Sequence, residues 1–150
     1  MKQIDTKLFG TISYTEKEIL NFPRGLVGLE NLKTFLLLSF EEYEPLKFLQ
    51  STDKTIFSFT LINPYVLKSD YEIKLEESDY SDISLKEGGG ILVYVILTIP
   101  EDPSKITANF LAPIVVNPES MKAKQLVLVN SDYSATVPIK IEEDRVFVDK

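Results

Sequence analysis

The stretch ILVYVILTI, from Ile91 to Ile99, has no polar face. Successive side chains of a strand point to opposite sides, so a run this apolar has to be covered on both. Its length and its valine and isoleucine content favour a strand over a helix. The turn Pro100-Glu101-Asp102-Pro103 interrupts the chain, and ITANFLAPIVV then resumes the apolar pattern with one amide, Asn109, inside it. A chain built around this segment needs a strand that is central, or one that crosses between layers.

The same chemistry recurs along the chain. TISYT (11–15), TFLLLSF (34–40), TIFSFTLI (55–62), YEIKL (71–75), KQLVLVN (124–130) and ATVPIKI (135–141) all read as strands. In TIFSFTLI, Phe57, Phe59 and Leu61 alternate with Ile56, Ser58, Thr60 and Ile62, which predicts an inward aromatic face. Turns fall at Phe22-Pro23-Arg24-Gly25, Asn63-Pro64-Tyr65, Glu87-Gly88-Gly89-Gly90 and Asn117-Pro118-Glu119. Helix is confined to one or two short turns. One is suggested by Leu26, Leu29 and Leu32; the other lies over 77–83, with Ser78 as its N-cap. The fold class is all-β, and the pattern suits a sandwich or a closed or partly open barrel.

At 150 residues the chain is expected to be one domain, 1–150, burying roughly 70% of the surface its unfolded form would expose. It contains no cysteine and no histidine. Disulfides, thiolate metal sites and a cysteine nucleophile are therefore excluded, and the commonest general base is absent. The amino-terminal segment MKQIDTKLFGTISYT lacks the apolar core of a signal peptide, and no run approaches a membrane span. A cytoplasmic protein with no membrane partner is expected.

The formal net charge is −7. Seven acids and two lysines fall within residues 70–87, among them Glu72, Glu76, Glu77, Asp79 and Asp82. This acidic surface opposes phosphate backbones and suits a basic partner, or else it is simply a solvated loop. Glycoside hydrolysis by paired carboxylates is disfavoured, because no carboxylate lies in an apolar strand centre and there is no tryptophan to stack on a sugar. Asp79 and Asp82 lack calcium-loop spacing. Gly88-Gly89-Gly90 lacks the lysine and hydroxyl of a phosphate loop. No cofactor or metal is expected, and a protein-binding module is the favoured class. The alternative is a small β-barrel that binds single-stranded nucleic acid or a small ligand, although its basic groove is not visible.

Several separated segments, in order, carry a family likeness: TKLFG (6–10), NFPRGLVGLENLKTFLLL (21–38), FLQS (48–51), ILTIPEDPSKITANFLAPIVVN and KQLVLVNSDYSATVPI. Over about residues 2–139 the chain closely resembles the flagellar assembly factor FliW family. The resemblance implies a flattened, partly open antiparallel β-barrel without enzymatic activity. It also implies two partners, flagellin through its carboxyl-terminal region and the translational regulator CsrA. Under partner switching, export of flagellin frees the factor to bind CsrA, which then releases the flagellin message. Direct contact with nucleic acid is not expected, and the free protein is expected to be a monomer.

Candidate partner-binding positions lie on three turns and one strand. The first turn offers Phe22, Pro23, Gly25 and Leu29; the second offers Pro64 and Tyr65; the third offers Pro100, Glu101 and Asp102. Where the family commonly has an acid between the proline and glycine of the first turn, this chain has Arg24. The strand after the third turn puts Asn109 and Leu111 on one face and Phe110 and Ala112 on the other, with Pro113 following. Asn109 either ties down a neighbouring loop or meets a partner. The tail, 140–150, lies beyond the resemblance and reads as an added hairpin or a semi-ordered segment.

Overall fold

The structure is a computed structural model that describes residues 1–142 and 145–149. Its strands in chain order are β1 (Lys2–Thr6), β2 (Gly10–Tyr14), β3 (Ile19–Asn21), β4 (Thr34–Ser39), β5 (Lys47–Ser51) and β6 (Ser58–Ile62). They continue with β7 (Leu92–Thr98), β8 (Thr107–Ala108), β9 (Ile114–Asn117), β10 (Lys122–Gln125), β11 (Val137–Glu142) and β12 (Arg145–Val148). The helix α1 (Glu77–Asp82) is short. The expected all-β barrel is present.

The ring runs β7-β6-β5-β4-β3-β10-β9 and returns to β7. All of its pairings are antiparallel except β3 with β10, a parallel contact at Lys122 and Asn21. That seam is the slightest in the ring. The β1–β2 hairpin forms a separate sheet, and β8, β11 and β12 branch away from β7.

The branch lies within the segment that opened the sequence. One edge of β7 pairs with β6 through Val95, Ile96 and Leu97. The other edge pairs with β9 through Leu92, Val93 and Tyr94, then changes to β8 at Leu97 and Thr98. Both faces of β7 are covered. Val93, Val95 and Leu97 enter an outer core with Ile62, Tyr71, Phe110, Val115 and Ile139. Tyr94 and Ile96 face the barrel interior with Phe22, Phe35, Leu49, Leu61 and Ile114. Each fully buried aliphatic side chain contributes about 1.5–3 kcal/mol, so this strand anchors two cores at once.

Several local expectations are corrected. TIFSFTLI pairs only from Ser58, and while Leu61 and the half-buried Phe57 and Phe59 face the barrel interior, Ile62 on the opposite face is equally buried in the outer core. Residues 71–75, expected as a strand, join no ladder, although Tyr71, Ile73 and Leu75 pack on the outer core. KQLVLVN leaves its ladder after Gln125. Residues 26–32 form turns closed by a Leu26–Leu29 bridge instead of a helix, because three-residue spacing also describes a tight apolar turn. The N-cap of α1 is Glu76 and not Ser78, which lies inside the helix; Asp79 completes the capping box. In the tail, β11 and β12 pair antiparallel and extend the sheet from β8.

Candidate interaction surfaces

The first turn is an anchored loop. The amide of Gly25 donates to the carbonyl of Phe22 at 2.9 Å, and Gly25 has φ +67°. Phe22 is fully buried, with its ring 5.0 Å from Phe35 in an edge arrangement. The expectation of a contact through Phe22 is therefore corrected, since its apolar ring gains more in the barrel than on the surface. Gly25 is also buried; Pro23 and Arg24 are exposed, and Leu29 is half-buried.

The second turn splits the same way. Asn63 Oδ1 accepts from the amide of Tyr65 at 2.9 Å and starts a short 3-10 turn. Pro64 is buried beneath it, which corrects its placement on the surface, whereas Tyr65 and Val66 are exposed. Tyr65 lies 6.0 Å from Tyr71, and Tyr71 lies 5.1 Å from Phe110 and 4.7 Å from Tyr133. The Tyr71 hydroxyl donates to the Phe110 carbonyl at 2.6 Å. Burial pushes that phenol well above its ordinary pKa, so it serves as a fixed neutral donor.

Pro100, Glu101 and Asp102 are exposed. Asp102 accepts from the Ser104 hydroxyl at 2.7 Å and from its amide at 3.0 Å, and these bonds hold its carboxyl below the usual range. The next strand breaks after Ala108, but its burial still alternates, with Ala108, Phe110 and Ala112 inside. Asn109 sits where β7 exchanges β9 for β8. Its amide donates to the Ile96 carbonyl at 3.0 Å, and its Oδ1 accepts from the Ala112 amide at 3.0 Å. It ties the two arms of the fork together. Pro113 is buried, and its carbonyl accepts from Leu126 at 2.8 Å, which removes it from the surface as well.

The acidic segment divides by depth. Glu72, Glu76 and Glu77 are exposed. Asp79 is 7% exposed, so it belongs to the scaffold and not to the acidic surface. Lys124 Nζ lies 2.6 Å from Asp79 Oδ1 and 2.7 Å from Asp82 Oδ2. Arg24 reaches Asp82 at 3.3 Å and thereby joins the first turn to α1. Hydrogen bonding from Lys124, helped by Arg24, holds the Asp82 carboxyl below its ordinary value of 3.8. Burial lowers the Lys124 pKa, but its bonds to the two aspartates outweigh this and hold it above 10.5. The structure thus brings the first turn and the acidic helix together, while the recorded side-chain bonds of Asp102 stay within its own turn.

Sequence reading missed Lys124, Asn117 and Tyr133. Asn117 is the clearest of the three, because an Asn-Pro pair ending an apolar strand signals a turn and hides a buried hydrogen-bonding role. Among the described residues no helix is long and apolar enough to cross a membrane.

A closed barrel that carries a second core outside it, with its charged helix ion-paired to the scaffold and its turns projecting, defines a compact β-barrel of the flagellar-assembly-factor type. The sequence profile of the FliW protein family matches residues 3–139, and the chain belongs to that family. A flagellar assembly factor FliW of Clostridium tetani is 37% identical over 143 residues, covering 95% of this chain and 99% of its own. One from Leptospira interrogans is 39% identical over 133 residues, covering 88% of this chain and 89% of its own. A crystal structure of the flagellar assembly factor FliW superposes with a TM-score of 0.86 at 33% identity, covering 95% of this chain and 99% of that one.

Proposed function

We propose that this chain is a non-enzymatic, cytoplasmic flagellar assembly factor that binds the carboxyl-terminal region of flagellin and antagonises CsrA by partner switching. The carrying observation is the end-to-end likeness to the Clostridium tetani relative, which leaves no large part of either chain unmatched. Partner switching needs only two binding free energies, because concentration and affinity set which partner is held. When flagellin is abundant it occupies the factor. When flagellin is exported, the factor turns to CsrA and translation of the flagellin message resumes.

The charge distribution supports the second half of the cycle. With a net charge of −7, and with Glu72, Glu76 and Glu77 exposed, the protein repels a phosphate backbone near any regulator it binds. RNA release from CsrA is therefore expected to weaken as salt rises.

The test is a reconstitution with the purified chain, flagellin, CsrA and the leader RNA of the flagellin message, followed by size-exclusion chromatography. The expected results are a complex with each protein alone, loss of the CsrA complex when flagellin is added, and no RNA retained by the chain itself. Direct RNA binding whose affinity falls steeply with salt would instead establish a nucleic-acid-binding barrel. Failure to bind either protein would remove the partner-switch reading.

A further inference from the structure

Between residues 72–76 and 124–133 lies a groove of about 680 Å³. Its walls are bridged by one contact toward each end. At one end the Tyr133 hydroxyl accepts from the Glu72 amide at 2.9 Å; at the other, Lys124 is paired with Asp79. Between these ties two extended segments face each other without a ladder between them.

The hydrogen-bonding direction of each wall follows from its recorded bonds. On one wall the amides of Leu126 and Leu128 donate to Pro113 and Leu111, both at 2.8 Å. Alternation along an extended chain turns the Val127 amide the other way, toward the groove. On the opposite wall the Glu72 amide points across the groove to Tyr133, and alternation gives the Lys74 amide the same direction. Among the described residues neither the Val127 nor the Lys74 amide finds an acceptor. Val127 is 47% exposed and Val129 76%, which gives that wall two projecting β-branched side chains.

The geometry points to this groove as a docking site for an extended peptide, which enters as a strand between the two walls and carries alternating apolar and basic side chains. Free edges recruit strands through main-chain hydrogen bonds, and alternate side chains confer specificity. Charge selects basic residues. Glu72, Glu76 and Asp132 line the groove against Lys74, while Asp79 and Lys124 neutralise one another. Val127 and Val129 supply apolar contact for the residues between. The inference goes beyond the flagellar reading and does not depend on it.

The probe is a fluorescein-labelled peptide of sequence Lys-Val-Lys-Val-Thr-Val-Lys-Val-Lys, titrated with the full chain by fluorescence anisotropy and followed by backbone amide NMR. Saturable binding is expected, with shifts concentrated at 72–76 and 126–130. The Val127 and Lys74 amides donate to peptide carbonyls, and ester substitution along the peptide backbone weakens those acceptors; loss of both bonds should weaken binding about tenfold or more. A peptide with glutamate in place of lysine should not saturate. In the protein, Val127→Lys should weaken the basic peptide without unfolding the chain, since Val127 lies outside both cores. No loss of affinity on ester substitution, shifts mapping to another face, or no saturation at millimolar peptide would overturn the proposal.

Discussion

The side-chain amide of Asn117 donates to the carbonyl of Ile83 at 3.0 Å and to that of Ser84 at 3.2 Å. Its Oδ1 accepts from the Glu119 amide at 3.1 Å. One buried side chain therefore fastens the end of β9 to the chain leaving α1, and fixes the turn that leads into β10. Replacing it removes the donor to the Ser84 carbonyl and the acceptor of the Glu119 amide, and leaves the Ile83 carbonyl with only its 2.8 Å bond from the Ser120 hydroxyl. Asn117→Ala is expected to destabilise the fold by about 2–3 kcal/mol. Asn117→Asp should be comparably harmful, because a carboxylate cannot donate to either carbonyl. Urea unfolding followed by circular dichroism measures both; a loss below about 0.5 kcal/mol would show that the carbonyls find other donors.

The ion cluster at Lys124 predicts a pH dependence of known sign. Asp82 has a folded pKa below its ordinary 3.8, so its contribution is present above that value and is lost as pH falls through the folded one. Lys124 has a folded pKa above 10.5, so its contribution is present below that value and is lost as pH rises through the folded one. Lys124→Met removes the central cation and leaves Asp79 buried beside Asp82. The expected cost at neutral pH is about 2 kcal/mol, below the ~3–5 kcal/mol of a fully buried pair because the cluster is partly exposed. Stability measured by urea unfolding from pH 3 to 7 should rise less steeply with pH in the variant than in the parent. Parallel curves would mean that Lys124 does not govern the titration of Asp82.

How much was legible depends on whether a residue's partner leaves a mark in the local pattern. β7 was readable because apolar side chains on both of its faces require cover on both. Residues 71–75 read as a strand, but ladder partners are a long-range property, and these residues have none. β5 was hidden because Gln50 and Ser51 are polar and yet buried. Lys124 gave no signal, since its partners lie 45 and 42 residues away in sequence. The turns were legible as turns. What sequence did not separate was the anchoring residues of the first two turns, Phe22 and Pro64, from their exposed neighbours, Pro23 and Tyr65.

Gln50 shows how such a hidden polar residue is held. Its Nε2 donates to the carbonyls of Ser51 at 3.0 Å, Thr55 at 2.9 Å and Phe57 at 3.3 Å, which pins the loop between β5 and β6. Gln50→Glu replaces that donor with a carboxylate facing three carbonyl oxygens in a site closed to solvent. A loss of about 3 kcal/mol or more is expected at neutral pH, relieved at acidic pH where the carboxyl regains a proton to donate. Thermal melts of the variant and parent at pH 4.5 and 7.5 measure the relief. A gap between them that does not narrow on acidification would show that the carboxylate has turned away from the carbonyls.

Gly25 and Gly88 separate two reasons for a glycine at positive φ. Both have it, at +67° and +80°. At Gly88 an added Cβ meets nothing within 4 Å, whereas at Gly25 it collides with the backbone carbonyl of Glu30. Gly88→Ala is therefore expected to cost only the backbone term, about 1 kcal/mol. Gly25→Ala has to displace the 26–30 loop as well, at a cost of about 3 kcal/mol or more. Because that loop adjoins Pro23 and Arg24, the displacement should also loosen the Arg24–Asp82 contact. Amide exchange should then quicken across α1 in Gly25→Ala and stay unchanged there in Gly88→Ala. Equal melting temperatures for the two variants would show that the loop yields freely, and that the first turn is held by its own hydrogen bond instead of by the packing beneath it.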